Sequence, residues 1–202
     1  MGLFSYTAWT APVILVSSVA VAQPAMQHPA QVQVQQNMDA VLKVMRHPTL
    51  SEQQKIKQVE QYANQYLDYQ RIAAFAVGLP WKQFTPKQKT EFISAFKDMI
   101  IAMYARSALM GAQDAQVKLL PKMVNSGKNH VDVFTEIQAK SGKKYEVAYQ
   151  LYQSGNTYKV FNIRVDGASL VSVYRNQFDE LIKQKGVDGM IATVRAKGLR
   201  KQ

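Results

Sequence analysis

The chain has 202 residues, with 25 Lys and Arg against 14 Asp and Glu, and a net charge of +11. Hydrophobic residues make up 47% of it, which is enough for a packed core and excludes a largely disordered chain. The absence of Cys excludes a disulfide framework, a Cys-based metal site and a thiol nucleophile.

The first 22 residues have most features of an export signal. Residues 8–22 are uncharged, are too short for a comfortable transmembrane span of about 20 residues, and end in Ala20-Val21-Ala22. This small-x-small pattern is one that signal peptidase accepts. No Lys or Arg precedes it, so an upstream start codon or an uncleaved anchor is the alternative. We predict a cleaved signal peptide over residues 1–22 and a single domain over residues 23–202.

Two helices are predicted next. Pro29 can open the first, which ends at His47-Pro48 because Pro disfavours helix in the preceding residue. Ser51, with Gln54 three residues later, forms a capping box at the start of the second. The helical pattern of this segment runs without a break to Gly78. Both segments carry apolar residues at helical spacing.

A third predicted helix covers residues 86–110. Thr85 and Pro86 mark its start, and Gln88 completes a capping box. Its apolar residues cover more than the single stripe of a surface helix. We therefore expect this helix to be buried on more than one side, or to pack on one side and line a cavity on the other.

The periodicity then changes to that of strands. Four runs of alternating apolar residues are separated by turn signals at residues 125–127, 141–143 and 154–156. They predict a four-stranded antiparallel meander. Helical pattern returns after Gly167 and ends at Gly186, followed by a last short helix. Helices, then strands, then helices indicate the α+β class.

Catalytic signatures are missing from the sequence. The three His have no metal-ligand spacing, and no GxSxG elbow, P-loop or dinucleotide fingerprint occurs. Ten Tyr and several carboxylates leave open a small isomerase-type site in an α+β cone. The basic residues are mostly Lys without an Arg–aromatic cluster, which argues against nucleic acid. Besides solvated lysines, they suit anionic lipid head groups or an acidic protein partner.

Two motifs and a C-terminal block together resemble the MlaC family. Residues 67–72, Leu-Asp-Tyr-Gln-Arg-Ile, and residues 76–81, Ala-Val-Gly-Leu-Pro-Trp, are similar to its (F/L)-D-F-x-R-(M/I) … A-V-G-x-x-W signature. Residues 165–191 resemble its C-terminal block. The matches run in order from about residue 36 to 197. Pro80 within the Gly-x-x-Trp element and the uncharged leader depart from the family pattern.

The resemblance implies a helix-plus-sheet fold enclosing an apolar pocket for the acyl tails of a phospholipid. It also implies a monomeric periplasmic carrier that moves lipid between an outer-membrane lipoprotein–porin complex and an inner-membrane substrate-binding-domain/ABC transporter complex. Such a carrier maintains outer-membrane lipid asymmetry, makes or breaks no bond, and needs no cofactor or metal. The alternatives are a carrier of another apolar lipid such as a hopanoid, a small-molecule isomerase or hydrolase, and an adaptor with a filled core.

The lipid-binding residues expected from this picture are aromatic and branched side chains on helices and strands. Arg71 and Arg175 lie in the motifs, and we expect them to form structural ion pairs with Asp68, Asp166 or Asp179 in preference to head-group contacts. The expected pocket residues are Phe75, Phe96, Ile100, Met103 and Tyr104 from the helices, Phe134, Val147, Tyr149, Phe161 and Ile163 from the sheet, and Tyr174, Phe178 and Leu181 at the far side.

Overall fold

The computed structural model describes residues 27–112 and 114–199 of the chain. The side chains of residues 104–110, 112 and 199 lie outside the described part, as does the predicted signal peptide over residues 1–22. None of the helices in the described ranges combines the length and hydropathy needed to cross a bilayer.

Within the described part, helices precede and follow an antiparallel sheet, so the predicted α+β class is confirmed. The sheet has the order β1-β2-β3-β4-β5, with a short fifth strand beyond the four predicted. The helices are α1 (Pro29–Met45), α2 (Glu52–Tyr66), α3 (Tyr69–Val77), α4 (Pro86–Ala112) and α5 (Arg175–Leu199). The strands are β1 (Gln116–Gly127), β2 (His130–Gln138), β3 (Lys144–Ser154), β4 (Thr157–Val165) and β5 (Ala168–Ser169).

Both predicted capping boxes are present. Ser51 Oγ accepts a hydrogen bond from the Gln54 backbone N–H at 3.3 Å, and Gln54 Oε1 accepts one from the Ser51 N–H at 2.8 Å. Thr85 and Gln88 form the same pair of bonds at 3.2 and 2.9 Å. Each box satisfies backbone donors that the first helical turn leaves without a partner, and so fixes where α2 and α4 begin.

The second predicted helix is divided in two, which corrects the expectation of a continuous helix to Gly78. Leu67 has extended backbone angles, φ −88° and ψ 133°. The Asp68 N–H donates to the Val160 carbonyl at 2.9 Å, so the chain adds briefly to the edge of β4. Asp68 Oδ1 then accepts from the Arg71 N–H at 2.9 Å and caps α3. Apolar spacing alone could not reveal this break, because the helical spacing of apolar residues continues across Leu67 and Asp68.

The C-terminal region also differs from the prediction. The segment after Gly167 forms β5 and a short 3-10 turn, Ser172–Tyr174, before α5 begins at Arg175. The prediction for Gly186 is confirmed: its backbone angles, φ 69° and ψ 177°, are not helical, and they divide α5 into two helical segments.

Two hydrophobic clusters stabilise the fold. One lies among α3, α4 and α5 and contains the buried rings of Phe92, Phe96 and Phe178. The centroids of these rings are 5.3 to 5.4 Å apart, in stacked and edge-on contacts. The other lies between α1 and the sheet and includes Val34 and Val133. The first cluster is densely aromatic, whereas the buried members of the second are Ala, Val and Leu.

Candidate functional site

A cavity of about 550 Å³ lies between α1, α2 and one face of the sheet. Its volume is within the range of about 300 to 1,000 Å³ that is usual for small-molecule sites. The side chains of α1 that line it follow helical spacing and face the sheet. They are Val34, Asn37, Met38, Val41, Leu42 and Met45.

Helix α2 covers the cavity with one of its faces. Val59, Tyr62, Ala63 and Tyr66 line it, at positions i, i+3, i+4 and i+7, which share one side of a helix. No side chain of α2, all of which is described, is buried. This helix therefore rests over a cavity instead of on a filled core.

The sheet supplies the opposite wall through residues that its register brings onto one face. Val117 is paired with Ile137 on β1 and β2, and Ile137 with Tyr145 on β3. Tyr149 is paired with Ile163 on β4. Because side chains alternate between the two faces of a strand, all five point to the same side, and all five line the cavity.

The wall is apolar, with a few uncharged polar groups. Among the described residues, no Asp, Glu, Lys, Arg or His lines the cavity; its polar side chains are Asn37 and four Tyr. Burial raises the pKa of the Tyr149 phenol above its ordinary value of 10.0, so this group stays protonated at neutral pH. The cavity thus suits an apolar chain and would strongly disfavour an unpaired charge.

The described residues contain no group of three or more His, Cys, Asp or Glu placed to hold a metal ion. The carboxylate with the most extensive set of contacts, Asp132, is buried elsewhere in the sheet, where Arg164 forms an ion pair with it at 2.8 Å. Ser126 and Gln150 also donate hydrogen bonds to Asp132. The Asp132 carboxylate is thus paired within this cluster, and the cluster does not line the cavity.

Two of the expected pocket residues, Tyr149 and Ile163, line the cavity. Five others belong to the aromatic cluster on the other side of the fold, where rings and branched chains fill one another's space. Of these five, Phe96, Tyr174 and Phe178 are buried in that cluster, and Ile100 and Leu181 pack against it.

The remaining expected residues lie in other surroundings. Phe75 and Met103 are 39% and 48% exposed, and the side chain of Tyr104 is outside the described part. Phe134 lies under the Lys122 ammonium group, with Nζ 4.1 Å from its ring centroid. Val147 is buried in β3 but does not line the cavity. The ring of Phe161 contacts those of His130 and Tyr152.

The motif arginines also have clear positions away from the cavity wall. Arg71 Nε is 3.4 Å from Asp68 Oδ2, as the ion-pair expectation requires. Arg175 instead donates a hydrogen bond to the Phe75 carbonyl and lies over the Phe75 ring. Its guanidinium group forms no ion pair within the described part of the chain, so the expectation of a carboxylate partner is wrong for Arg175.

Sequence reasoning missed the wall residues of α1 and α2. Their signal was present, since Val34, Met38, Val41 and Leu42 have amphipathic spacing. A stripe that faces a cavity and a stripe that faces a packed core have the same spacing. Periodicity therefore predicted the inward faces of these helices without showing that a cavity lies beneath them.

Comparisons with known proteins agree with this fold. The solved structure of a phospholipid-binding protein from Ralstonia solanacearum, in complex with a phospholipid, superposes with a TM-score of 0.74 and 26% sequence identity. The match covers 86% of this chain and 99% of that one. The toluene tolerance protein ttg2D of Pseudomonas putida is 27% identical over 107 residues, 53% of this chain and 49% of that protein. The matched segment thus spans about half the length of that relative.

The family comparison covers most of the chain. The family model described as MlaC protein matches residues 35–196, a range that includes α2 to β5, most of α1 and most of α5. The chain belongs to the MlaC family.

Proposed function

We propose that this protein is a periplasmic phospholipid carrier that holds acyl chains in the cavity between α1, α2 and the sheet. It passes the lipid between an outer-membrane lipoprotein–porin complex and an inner-membrane substrate-binding-domain/ABC transporter complex, and so maintains outer-membrane lipid asymmetry. The observation that carries the proposal is the cavity of about 550 Å³ without a charged lining residue in the described part of the chain. The phospholipid bound to the Ralstonia solanacearum relative supports it.

The physical chemistry of a phospholipid suits such a cavity. Each methylene group removed from water contributes about 0.8 kcal/mol, so long acyl chains gain much from an apolar wall. A phosphate group would have to lose its hydration to enter the same wall, at a large cost. The cavity therefore favours a lipid whose tails are enclosed and whose head group remains in water.

Release of the lipid requires that part of the wall move. Helix α2 has no buried side chain, and its last residue is followed by the extended Leu67. An element with little buried surface opens at a low free-energy cost. We propose that partner complexes take up or release lipid by displacing α2 from the cavity.

The described lining of the cavity does not favour a catalytic function. An isomerase or hydrolase site needs a base whose pKa lies near the working pH. The titratable side chains in the described wall are tyrosines, and burial raises the pKa of Tyr149 away from neutrality. The adaptor alternative predicts a filled core, which the cavity does not fit. We therefore propose a carrier that changes no bond in its cargo.

Uptake of a labelled phospholipid from vesicles tests the proposal. The wild-type chain is expected to take up lipid and retain it after the vesicles are removed. Ala63→Trp places a large ring inside the cavity and should lower uptake about tenfold or more, because acyl chains and the ring compete for one volume. Ala192→Trp is the matched control, since Ala192 is exposed on α5 away from the wall.

Circular dichroism and thermal unfolding establish that each variant is folded before uptake is compared. Unchanged uptake by folded Ala63→Trp would contradict the proposed site. Absence of lipid from the wild-type chain, together with failure to acquire it from vesicles, would contradict the carrier function.

A further inference from the structure

One end of the cavity lies beside the end of α4, where a lining residue is exposed to solvent. Gly111 is the exposed residue among those that line the cavity. Its carbonyl accepts a hydrogen bond from the Ala115 N–H at 3.1 Å, and Ala115 also lines the wall. Residues 116 and 138 are paired between β1 and β2, so the wall residue Ala139 lies at this end as well.

Positive charge surrounds this end without entering the cavity. The Lys143 Nζ lies 4.8 Å from the ring centroid of Tyr145, a wall residue. Arg46 Nη2 donates a hydrogen bond to the Ala115 carbonyl at 2.6 Å, which holds the guanidinium group beside the same wall. Lys140 lies in the turn that is closed by a hydrogen bond from the Ala139 N–H to the Lys143 carbonyl. We name Arg46, Lys140 and Lys143 the basic rim.

The carboxylates near this end neutralise only part of the charge. Asp114 Oδ2 is 3.1 Å from Lys140 Nζ, and Glu136 Oε1 is 2.9 Å from Lys144 Nζ. Lys143 forms no ion pair with any described carboxylate, and its contact is with the Tyr145 ring. An anion at this end would therefore meet the ammonium group of Lys143, which no described carboxylate neutralises, beside the apolar wall.

We infer that the basic rim binds the phosphate of the cargo and favours phospholipids whose head groups carry a net negative charge over zwitterionic ones. The inference rests on the proposed function, because the acyl chains must occupy the cavity for the phosphate to reach the rim. Lys and Arg form charge-assisted hydrogen bonds with phosphate oxygens. A head group with its own ammonium brings a second positive charge to the rim, and this reduces the attraction.

A direct competition tests the inference. Wild-type protein is incubated with vesicles that contain equal amounts of phosphatidylglycerol and phosphatidylcholine with identical tails, and the bound lipid is extracted and quantified. Both lipids come from one vesicle surface, so general attraction to that surface cannot change their ratio. At low ionic strength we expect about fivefold more bound phosphatidylglycerol than phosphatidylcholine. A preference of this size is what the interaction free energy of one partly exposed ion pair would produce. The preference should decline towards one in molar salt.

Variants assign the preference to the rim. Lys143→Gln should lower the ratio of phosphatidylglycerol to phosphatidylcholine about two- to threefold, and Lys143→Glu should lower it further. Lys128→Gln is the matched control, since it removes the same charge from the exposed turn between β1 and β2, at the opposite end of β2. A wild-type ratio near one, or an equal effect of Lys128→Gln and Lys143→Gln, would overturn the inference.

Two further outcomes separate the possible explanations. Absence of either lipid from the wild-type protein would overturn the proposed function, and the rim inference with it. Equilibrium dialysis measures the binding of inorganic phosphate to the lipid-free wild-type protein and to Lys143→Gln. We expect no phosphate binding that depends on Lys143. Such binding would make the rim a site for free phosphate and would overturn its assignment to a lipid head group.

Discussion

Tyr152 donates a hydrogen bond to Asp68, with Oη and Oδ2 2.6 Å apart. The same carboxylate caps α3 through the Arg71 N–H at 2.9 Å, and the Asp68 backbone N–H bonds to Val160 on the sheet. Asp68 therefore fixes the junction of α2 and α3 to β3 and β4 beside the cavity. This arrangement explains why the chain between the two helices is extended.

Asp68→Ala should lower the free energy of unfolding by about 2 kcal/mol, because it removes both a helix cap and a partner of a tyrosine hydroxyl. Tyr152→Phe removes only the second interaction and should cost about 1 kcal/mol. Urea unfolding of the two variants measures both values. Equal losses would show that the cap at Asp68 contributes nothing.

Stability at alkaline pH should depend on Tyr69. Burial, with a smaller contribution from the negative charge of Glu60, raises the pKa of Tyr69 from 10.0 to about 12. The folded chain thus holds the phenolic proton more tightly than the unfolded chain, and the associated stability is complete below pH 10. It is lost as the pH rises from 10 towards 12.

Tyr69→Phe should remove this part of the alkaline decline. The Tyr69 hydroxyl has no hydrogen-bond partner among the described residues, so the variant should be as stable as the wild type at pH 7, or more stable. Unfolding curves of both chains between pH 8 and pH 12 make the comparison. Parallel curves over that interval would contradict the assignment to Tyr69.

Packing and lipid binding should respond to different residues. Phe178 is 2% exposed in the aromatic cluster, and Phe178→Ala should cost about 3 to 5 kcal/mol of stability. Lipid uptake by the fraction that remains folded should be unchanged. Val41→Asp places a carboxylate in the cavity wall and should abolish most uptake with a smaller loss of stability, because Val41 is only half-buried. The opposite pattern would place the lipid in the aromatic cluster.

Gly78 should tolerate a side chain less well than Gly142. Both have positive φ, 76° and 82°. A Cβ at Gly78 would also be 3.1 Å from Arg175 Nε, whereas at Gly142 no described heavy atom lies within 4 Å. Gly142→Ala should cost about 1 kcal/mol and Gly78→Ala about 2 to 3 kcal/mol, measured by thermal unfolding. Equal costs would contradict an added penalty at Gly78 from its backbone angles, φ 76° and ψ −136°, and from its contact with Arg175.

The sequence was sufficient for the features that depend on local chemistry. Ser51 with Gln54 and Thr85 with Gln88 predicted helix starts, because the capping bonds join residues only three apart. Alternating apolar residues such as Val131 and Val133 predicted a strand, which the structure confirms as β2. These features require no knowledge of distant parts of the chain.

The cavity wall depends on distant contacts, which is why most of it was not predicted. Large aromatic residues such as Phe96 and Phe178 were predicted to line the pocket. Large rings also pack effectively against one another in a core, as these two do. Much of the cavity wall is formed instead by residues of α1 and α2, such as Val41 and Ala63, together with four Tyr. Sequence spacing predicts the inward face of a helix but not its distance from the opposite wall.

The most direct measurement of the central claim is photolabelling of the purified chain with a diacyl phospholipid that carries a diazirine in one acyl chain. Mass spectrometry of the digested protein then locates the crosslinked residues. The cavity predicts crosslinks within residues 34–45 and 59–67 and on the strand residues opposite them. Crosslinks confined to the aromatic cluster around Phe178, or no crosslinks from lipid that the protein demonstrably carries, would contradict it.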